Sequence, residues 1–536
     1  MLNAKEKKDC LTIDGHSLST KDVVCAAENT NIEVVISSDT AQKIQASHQL
    51  LLRFVKEKRI IYGVNNSLGG FVNWLVPLDS AQELQENLIS AVATNVGPYL
   101  EDHIVRATML ARLNALARGY SAISLENFNK LLSIYNAEII PCIPSKGSLG
   151  ASGDLGPLAA IALVATGKWK AKYNGKILSG KEALELAGIS PMKLSYKEGL
   201  SLVNGTSAMV GMASILIEKA ITLVKSYDVI SCLTFEGLRV KKKPFNPIVH
   251  RQKPHAGQLQ TAENFWALLS DSKMIIDEDK VEQHLQSVAK ETPQSTNTPI
   301  EDAYSIRCSP HILGPIKDSL KWIQSTITNE LNSSNDNPLI FCENNDVFHN
   351  GHFHGQYISM AMDYLSICLT TLANLSDRRI DRFMDKNNSN GLPSFLCAEK
   401  QGLRLGLMGG QFMATSLTAE NRSLCNPVSI QSLPSTGDFQ DIVSLGLIAA
   451  RRAKEIYDNA SYVVAFELLC GAQAAEIRGV DLLSKAGRSA FDKVREIVPY
   501  LSSDQCLTDY LENLSSQIKT GDFLKKIEQQ TGGISL

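Results

Sequence analysis

Surplus charge is what this sequence lacks most plainly: 53 Lys and Arg stand against 56 Asp and Glu, a formal net charge of −3. A balance so close to neutral leaves no electrostatic footprint for nucleic acid. Paired cysteines are missing as well. The 11 cysteines are scattered without a CxxC pair or regular spacing, which fits reduced, mostly buried thiols rather than a disulfide framework. The opening residues MLNAKEKKDC have no apolar run behind their charges, so no signal peptide is expected. No uninterrupted apolar stretch is read as long enough to span a membrane. Internal repeats and low-complexity tails are absent too. These absences lead to the expectation of a soluble, cytoplasmic protein. Its 536 residues suffice for a large core and two or three structural regions.

What the chain does have is helical periodicity. Residues 1–60 begin polar and turn helical through VVCAAE and a periodic segment from Ala41 to Val55. A Gly- and Asn-rich loop, Gly63 to Gly70, follows with Tyr62 at its edge. The pattern from Ser80 to Leu132 is helical, and WKAKYNGKI reads as a hairpin turning at Asn-Gly. Lys241 to Gly257 is basic and proline-broken, and reads as a solvated loop. Residues 287–300 are rich in Ser, Thr and Pro and read as a mobile loop, a candidate lid. Tyr357, Ala361, Tyr364, Leu365, Cys368, Leu369 and Leu372 recur at helix-face spacing. Asp438 to Gly479 contains no proline and could run as one helix. Apolar side chains surround much of it, so it needs neighbours on all sides.

The most unusual stretch is KGSLGASGDLGPLAA, Lys146 to Ala160, where glycines surround Ala151-Ser152-Gly153. One reading is a loop feeding a helix, with Asp154 as cap and Pro157 in the first turn. A second uses backbone chemistry. Attack of the Gly153 nitrogen on the Ala151 carbonyl carbon closes a five-membered ring. Loss of two waters then leaves a methylidene from Ser152, giving 4-methylidene-imidazol-5-one (MIO), an electrophile made from the chain itself. A helix starting nearby would aim its positive end at that electron-rich ring.

The words around the tripeptide favour the second reading. GSLGASGDLGPLA resembles the cofactor segment of the histidine and aromatic amino acid ammonia-lyases and aminomutases. The resemblance extends through IYGVNNSLGGFV around Tyr62, LVNGTSAM around Asn204, EDAYSIRC around Tyr304 and Arg307, SSNDNPLI around Asn335, and DFQDIVSLGL around Phe439. These segments stand in the family's order and cover nearly the whole chain. NGHFHGQY and FMDKNNSNGLPSFLCAE are most similar to bacterial phenylalanine 2,3-aminomutases and their phenylalanine ammonia-lyase relatives.

The resemblance implies a mainly α fold, with a long central helix bundle of the ammonia-lyase/fumarase-like type and a small mixed N-terminal region. It divides the chain into 1–200 with the tyrosine loop and MIO segment, 201–480 as the bundle, and 481–536 as a helical cap. It implies MIO as cofactor, formed from Ala151, Ser152 and Gly153 without metal or pyridoxal phosphate, and a homotetramer with composite active sites. Tyr62 becomes the base. A phenol titrates near 10 in water, so helix ends or a cation must lower it. Arg307 offers a fork for the substrate carboxylate, and the YSIR spacing puts Tyr304 and Arg307 on one helical face. Tyr304 assists proton movement or ring orientation, while Asn204 and Gln440 contribute hydrogen bonds.

Leu88 and Val92 occupy the positions of the family's side-chain selectors. Tyrosine-selective relatives often place His at the first, and histidine-selective relatives place a carboxylate where Gln440 stands, so an unsubstituted phenyl ring is expected. Phe353 and Phe439 supply either aromatic contact to substrate or ordinary packing. Three departures stand out: Glu301 for a common Gln, His352 for Asn, and Asn66 for Thr. His349, His352 and His354 lack a convincing fourth ligand for a metal. The expected reaction removes ammonia from L-phenylalanine through trans-cinnamate and returns it at Cβ to give β-phenylalanine. A phenylalanine ammonia-lyase releasing cinnamate and an inactive helical scaffold remain alternatives. A fumarase-type enzyme is disfavoured because its GSSxMPxKxN loop is missing. Segments 62–72 and 287–303 are the candidate lids.

Overall fold

The computed structural model describes residues 9–296 and 299–536. Residues 1–8, on which the expectation about a leader rests, and 297–298, inside one candidate lid, lie outside the described residues.

Among the described residues, twenty α-helices and nine short strands make a mainly α protein. The chain starts β1 (Asp9–Ile13), α1 (Thr20–Glu28), β2 (Ile32–Ile36), α2 (Ser38–Lys56), α3 (Ala81–Ala91) and β3 (Val96–Tyr99). It continues α4 (Asp102–Ala117), α5 (Leu125–Asn136), β4 (Ile140–Pro141), β5 (Pro144–Lys146), α6 (Leu155–Ala165), β6 (Lys170–Tyr173) and β7 (Lys176–Ser179). Then come α7 (Gly180–Leu186), α8 (Glu198–Val203), α9 (Ser207–Leu238), α10 (Pro247–His250), α11 (Ala256–Leu268), α12 (Glu278–Val288) and α13 (Tyr304–Arg307). The rest is α14 (Ser309–Leu331), β8 (Leu339–Phe341), β9 (Asp346–Phe348), α15 (Gln356–Met384), α16 (Met408–Leu424), α17 (Gly446–Arg478), α18 (Lys485–Arg495), α19 (Thr508–Thr520) and α20 (Asp522–Thr531).

The chain groups into two compact units, neither contiguous in sequence. The first holds Met1–Glu218, Ile323–Asp363 and Pro427–Ala453; the second holds Lys219–Trp322, Tyr364–Asn426 and Lys454–Leu536. In the first, β1 and β2 pair in parallel, and β6 and β7 form the expected hairpin. Its turn residues Asn174 (φ 49°) and Gly175 (φ 74°) both take the positive φ that such a two-residue turn requires. Leu50, Leu51, Phe54 and Val55 of α2 pack with Ile61, Val64, Ala122 and Ile340 in one core cluster. Burying Ile61 and Val64 stabilises by roughly 1.5–3 kcal/mol each, which fixes the chain on either side of Tyr62.

In the second unit, Phe235, Phe245 and Phe265 form an aromatic cluster with ring centres 4.9–5.3 Å apart. Phe245 belongs to the basic stretch expected to be a solvated loop. That expectation holds for residues 251–256, which are exposed, but not for Phe245 and His250, which are buried, or Lys241, which is sealed against Asp302 at 3.3 Å.

Other sequence expectations need correction. The last long helix starts at Gly446, not Asp438, because Thr436, Asp438 and Leu445 sit at positive φ (58°, 62° and 54°). The helical reading of Ser80 to Leu132 is interrupted by β3, which pairs with β5. Tyr357 and Tyr364 lie on the outer side of α15, exposed, whereas Ala361, Leu365, Cys368, Leu369 and Leu372 are buried. Five cysteines are buried and four exposed, so the thiols are not mostly buried. Among the described residues, three helices, α9, α15 and α17, are long and apolar enough to cross a membrane by length and composition. The apolar windows of these helices are 72–83% buried within the protein.

Candidate active site

Every element of the cavity described next belongs to the first unit. The Ala-Ser-Gly segment lies where chain segments remote in sequence meet. Gly153 takes φ +69° and pairs with Gly205, whose N–H donates to the Ser152 carbonyl oxygen at 3.2 Å. The Asp154 N–H donates to the Gly205 carbonyl oxygen at 2.7 Å, and the Leu445 N–H to the Leu149 carbonyl oxygen at 3.2 Å. Thus α6 begins directly after the segment, α9 begins two residues after Gly205, and α17 begins one residue after Leu445. Helix starts carry partial positive charge and free N–H groups, so the surroundings favour an electron-rich group here.

Asp154 occupies the position before α6, yet its side chain makes no cap bond to that helix. Its carboxylate instead accepts from Ser148 Oγ at 2.9 Å and from the Met209 N–H of α9 at 2.7 Å. Complete burial outweighs these bonds and pushes its pKa up to about 6. The capping role read from the sequence is therefore replaced by a tie between the tripeptide segment and the start of α9.

Gln440 holds the serine. Its Nε2 donates to Ser152 Oγ at 3.2 Å, while its Oε1 accepts from Thr436 Oγ1 at 2.6 Å. Asn204 Nδ2 donates to Asp336 Oδ1 at 3.0 Å and to the Asn337 carbonyl oxygen at 3.1 Å. Asp336 is fixed in turn by the buried Lys197, 2.5 Å away. Asn204 Oδ1 is buried with no partner among the described residues. A segment that cannot accept a Cβ at Gly153, with the serine hydroxyl held and an unused amide oxygen on a residue lining the same cavity, fits the residues an MIO ring requires.

Tyr62 stands across the cavity. Its hydroxyl accepts from the Gly69 N–H at 2.9 Å, within its own loop. Burial raises the phenol's pKa, and the Gly69 N–H offsets that only partly. This reverses the expected direction: among the described residues, only the Gly69 N–H acts to lower it. Gln85 on α3 braces the loop, donating to the Gly63 carbonyl oxygen at 2.9 Å and accepting from the Leu200 N–H at 3.0 Å. With Gln85 and Ile89 buried, α3 turns Leu84, Leu88 and Val92 to the cavity.

The cavity encloses about 1280 Å³. Tyr62, Leu88, Val92, Ala151, Ser152, Asn204, Phe353, Phe439 and Gln440 all line it. Gly153 lies buried behind Ser152. Tyr304 and Arg307 belong to the second unit and are not part of the lining. They do share one face of α13, with the guanidinium carbon 4.9 Å from the Tyr304 ring centre. Arg307 Nη2 pairs with Glu301 at 2.8 Å and Nε donates to the Asp302 carbonyl oxygen at 2.9 Å. The lining also includes Phe71, Leu84, His349 and His354, which sequence reasoning did not assign to the site. Leu84 could have been found, since it stands one turn before Leu88 on the same helical stripe.

Fold and cavity define an enzyme of the helical ammonia-lyase and aminomutase class. The family profile described as aromatic amino acid lyase matches residues 18–496, and the chain belongs to that family of MIO-dependent ammonia-lyases and aminomutases. The structure of Pantoea agglomerans phenylalanine aminomutase is similar, at 56% identity and a TM-score of 0.93, over 95% of this chain and 99% of that one. The tyrosine ammonia-lyase of Cupriavidus metallidurans is 41% identical over 96% of this chain and 97% of its own length. The MIO-dependent tyrosine 2,3-aminomutase of Streptomyces globisporus is 37% identical over 97% of each chain.

Proposed function

We propose that the protein acts on L-phenylalanine, eliminating ammonia through trans-cinnamate and returning it at Cβ to give β-phenylalanine. The observation that carries this reading is the apolar wall of Leu84, Leu88 and Val92 in the same cavity as Tyr62, Ser152 and Gln440. An unsubstituted phenyl ring suits that wall, and the 56% identity to a phenylalanine aminomutase supports the same substrate and outcome.

The MIO ring formed from Ala151-Ser152-Gly153 supplies an electrophile for the substrate amine. The remaining work falls to side chains. Tyr62 removes the β-proton as phenolate, held at its oxygen by the Gly69 N–H. Asn204 and Gln440 orient polar groups at the reacting end, and Phe353 and Phe439 flank the ring. Tyr304 and Arg307 of a neighbouring copy complete the site in a homotetramer, with the Arg307 guanidinium, placed by Glu301 and Asp302, taking the carboxylate.

Incubation with L-phenylalanine and chiral separation of the products tests this. β-Phenylalanine with some trans-cinnamate is the expected result. Cinnamate without β-phenylalanine, at low temperature and early times, leaves a phenylalanine ammonia-lyase, the second reading, which the similarity to a tyrosine ammonia-lyase favours. Turnover of tyrosine or histidine but not phenylalanine overturns the substrate assignment.

A further inference from the structure

The segment ending in Tyr62 and the segment ending in His349 are joined at two points. Arg59 Nη2 pairs with Asp346 Oδ1 at 2.6 Å, and the Tyr62 backbone N–H donates to His349 Nε2 at 3.2 Å. Both bonds span the same sequence separation, 287 residues, so the segments run together in constant register. The second bond fixes the imidazole's tautomer: Nε2 accepts, so the ring proton is on Nδ1. Asn350, next in the chain, is itself pinned through its N–H to Asn337 Oδ1 at 2.7 Å. The imidazole thus sits on an anchored stretch and lines the cavity that Tyr62 lines.

We propose that His349 is a positioning residue for Tyr62, which in its neutral form holds the tyrosine's backbone N–H, and so the phenol, against the cavity wall. The inference rests on the reading of Tyr62 as the base. The tyrosine side chain leaves the backbone one bond from this N–H, and its oxygen accepts from the Gly69 N–H of its own loop. Without the His349 bond, the loop and its phenol can shift as one body. A protonated imidazole cannot accept, and presents a second donor to the Tyr62 N–H. One charged group bears on the imidazole, Arg59 across the segment pair, and that guanidinium is itself paired with Asp346 at 2.6 Å. Burial and Arg59 hold the imidazole's pKa below its ordinary value, so the bond persists at neutral pH and fails only on the acid side.

The test uses full-length His349→Ala, His349→Gln and Tyr62→Phe proteins with L-phenylalanine. His349→Ala should lower kcat at least about tenfold while changing KM less than about threefold. His349→Gln, whose amide oxygen accepts but does not titrate, should restore most of kcat and lack the acid limb that the wild-type kcat profile should show below the ordinary imidazole value of about 6.5. Mass measurement should find the dehydrated tripeptide in every variant, separating a positioning defect from loss of the electrophile. Wild-type kcat in His349→Ala, or an unchanged acid limb in His349→Gln, overturns the proposal. If His349→Ala does not fold, the His349→Gln profile decides. Turnover by Tyr62→Phe sinks the base assignment itself, whereas an inactive Tyr62→Phe beside a fully active His349→Ala removes only the role of His349.

Discussion

A Cβ placed on Gly153 would lie 2.0 Å from the carbonyl oxygen of Gly205. No rotamer relieves that contact, because both partners are backbone, and φ +69° at Gly153 adds strain for any other residue. Gly153→Ala should therefore lose the dehydrated tripeptide and nearly all turnover. Ser152→Ala should lose both as well, yet keep its fold, since the change removes a hydroxyl that accepts from Gln440 and keeps the carbonyl that accepts from Gly205. The mass of the 142–166 peptide checks both variants. Absence of the two-water loss in wild-type protein would remove the MIO reading altogether.

Asp154 gives a pH prediction. Its pKa rises from 3.8 in the unfolded chain to about 6 in the fold, so the folded state binds this proton more tightly. The stabilisation is complete below pH 3.8 and is lost as pH rises through about 6. Relative to Asp154→Asn, which cannot ionise, the wild type should lose up to about 3 kcal/mol across that window. Urea unfolding of both proteins between pH 4 and about pH 7.5 measures the difference; parallel stability profiles would contradict it.

Leu88 should control ring substitution. Leu88→His places a hydrogen-bonding group on the apolar wall, so the kcat/KM ratio for tyrosine over phenylalanine should rise at least about tenfold. An unchanged ratio would mean that the ring does not rest on α3.

Tyr304 and Arg307 yield the test of assembly. Arg307→Ala and Ser152→Ala proteins should each be inactive alone. Co-refolded, they should regain part of the wild-type turnover, because some sites would draw an intact Arg307 and an intact Ser152 from different copies. Arg307→Lys should mainly raise KM, since a point charge replaces a planar fork. No recovery on mixing would argue against composite sites.

Local chemistry was readable in the sequence. Glycine and asparagine announced the tyrosine loop and the Asn174-Gly175 turn because their backbone preferences act over two or three residues. The YSIR spacing put Tyr304 and Arg307 together for the same reason. What stayed hidden depends on contacts between distant residues. Leu445 takes φ +54°, which its side chain does not favour, and so ends the stretch before α17 where periodicity suggested continuous helix. Asp154 looked like a cap because nothing local indicates that Met209 would claim its carboxylate. The rise in the Tyr62 pKa likewise comes from its burial in the folded chain.

The meeting of Leu149, Ser152, Asp154, Gly205 and Leu445 has a temporal consequence. The bonds that shape the Ala-Ser-Gly turn come from segments synthesised long after it, so a nascent chain cannot hold Gly153 in its folded pose. If Ala151-Ser152-Gly153 is the source of the MIO ring, as proposed, maturation is deferred until the last of these segments has docked. A chain stalled or misfolded before that point carries an ordinary serine, harmless to surrounding amines and thiols. Chemical competence then serves as a receipt for completed folding.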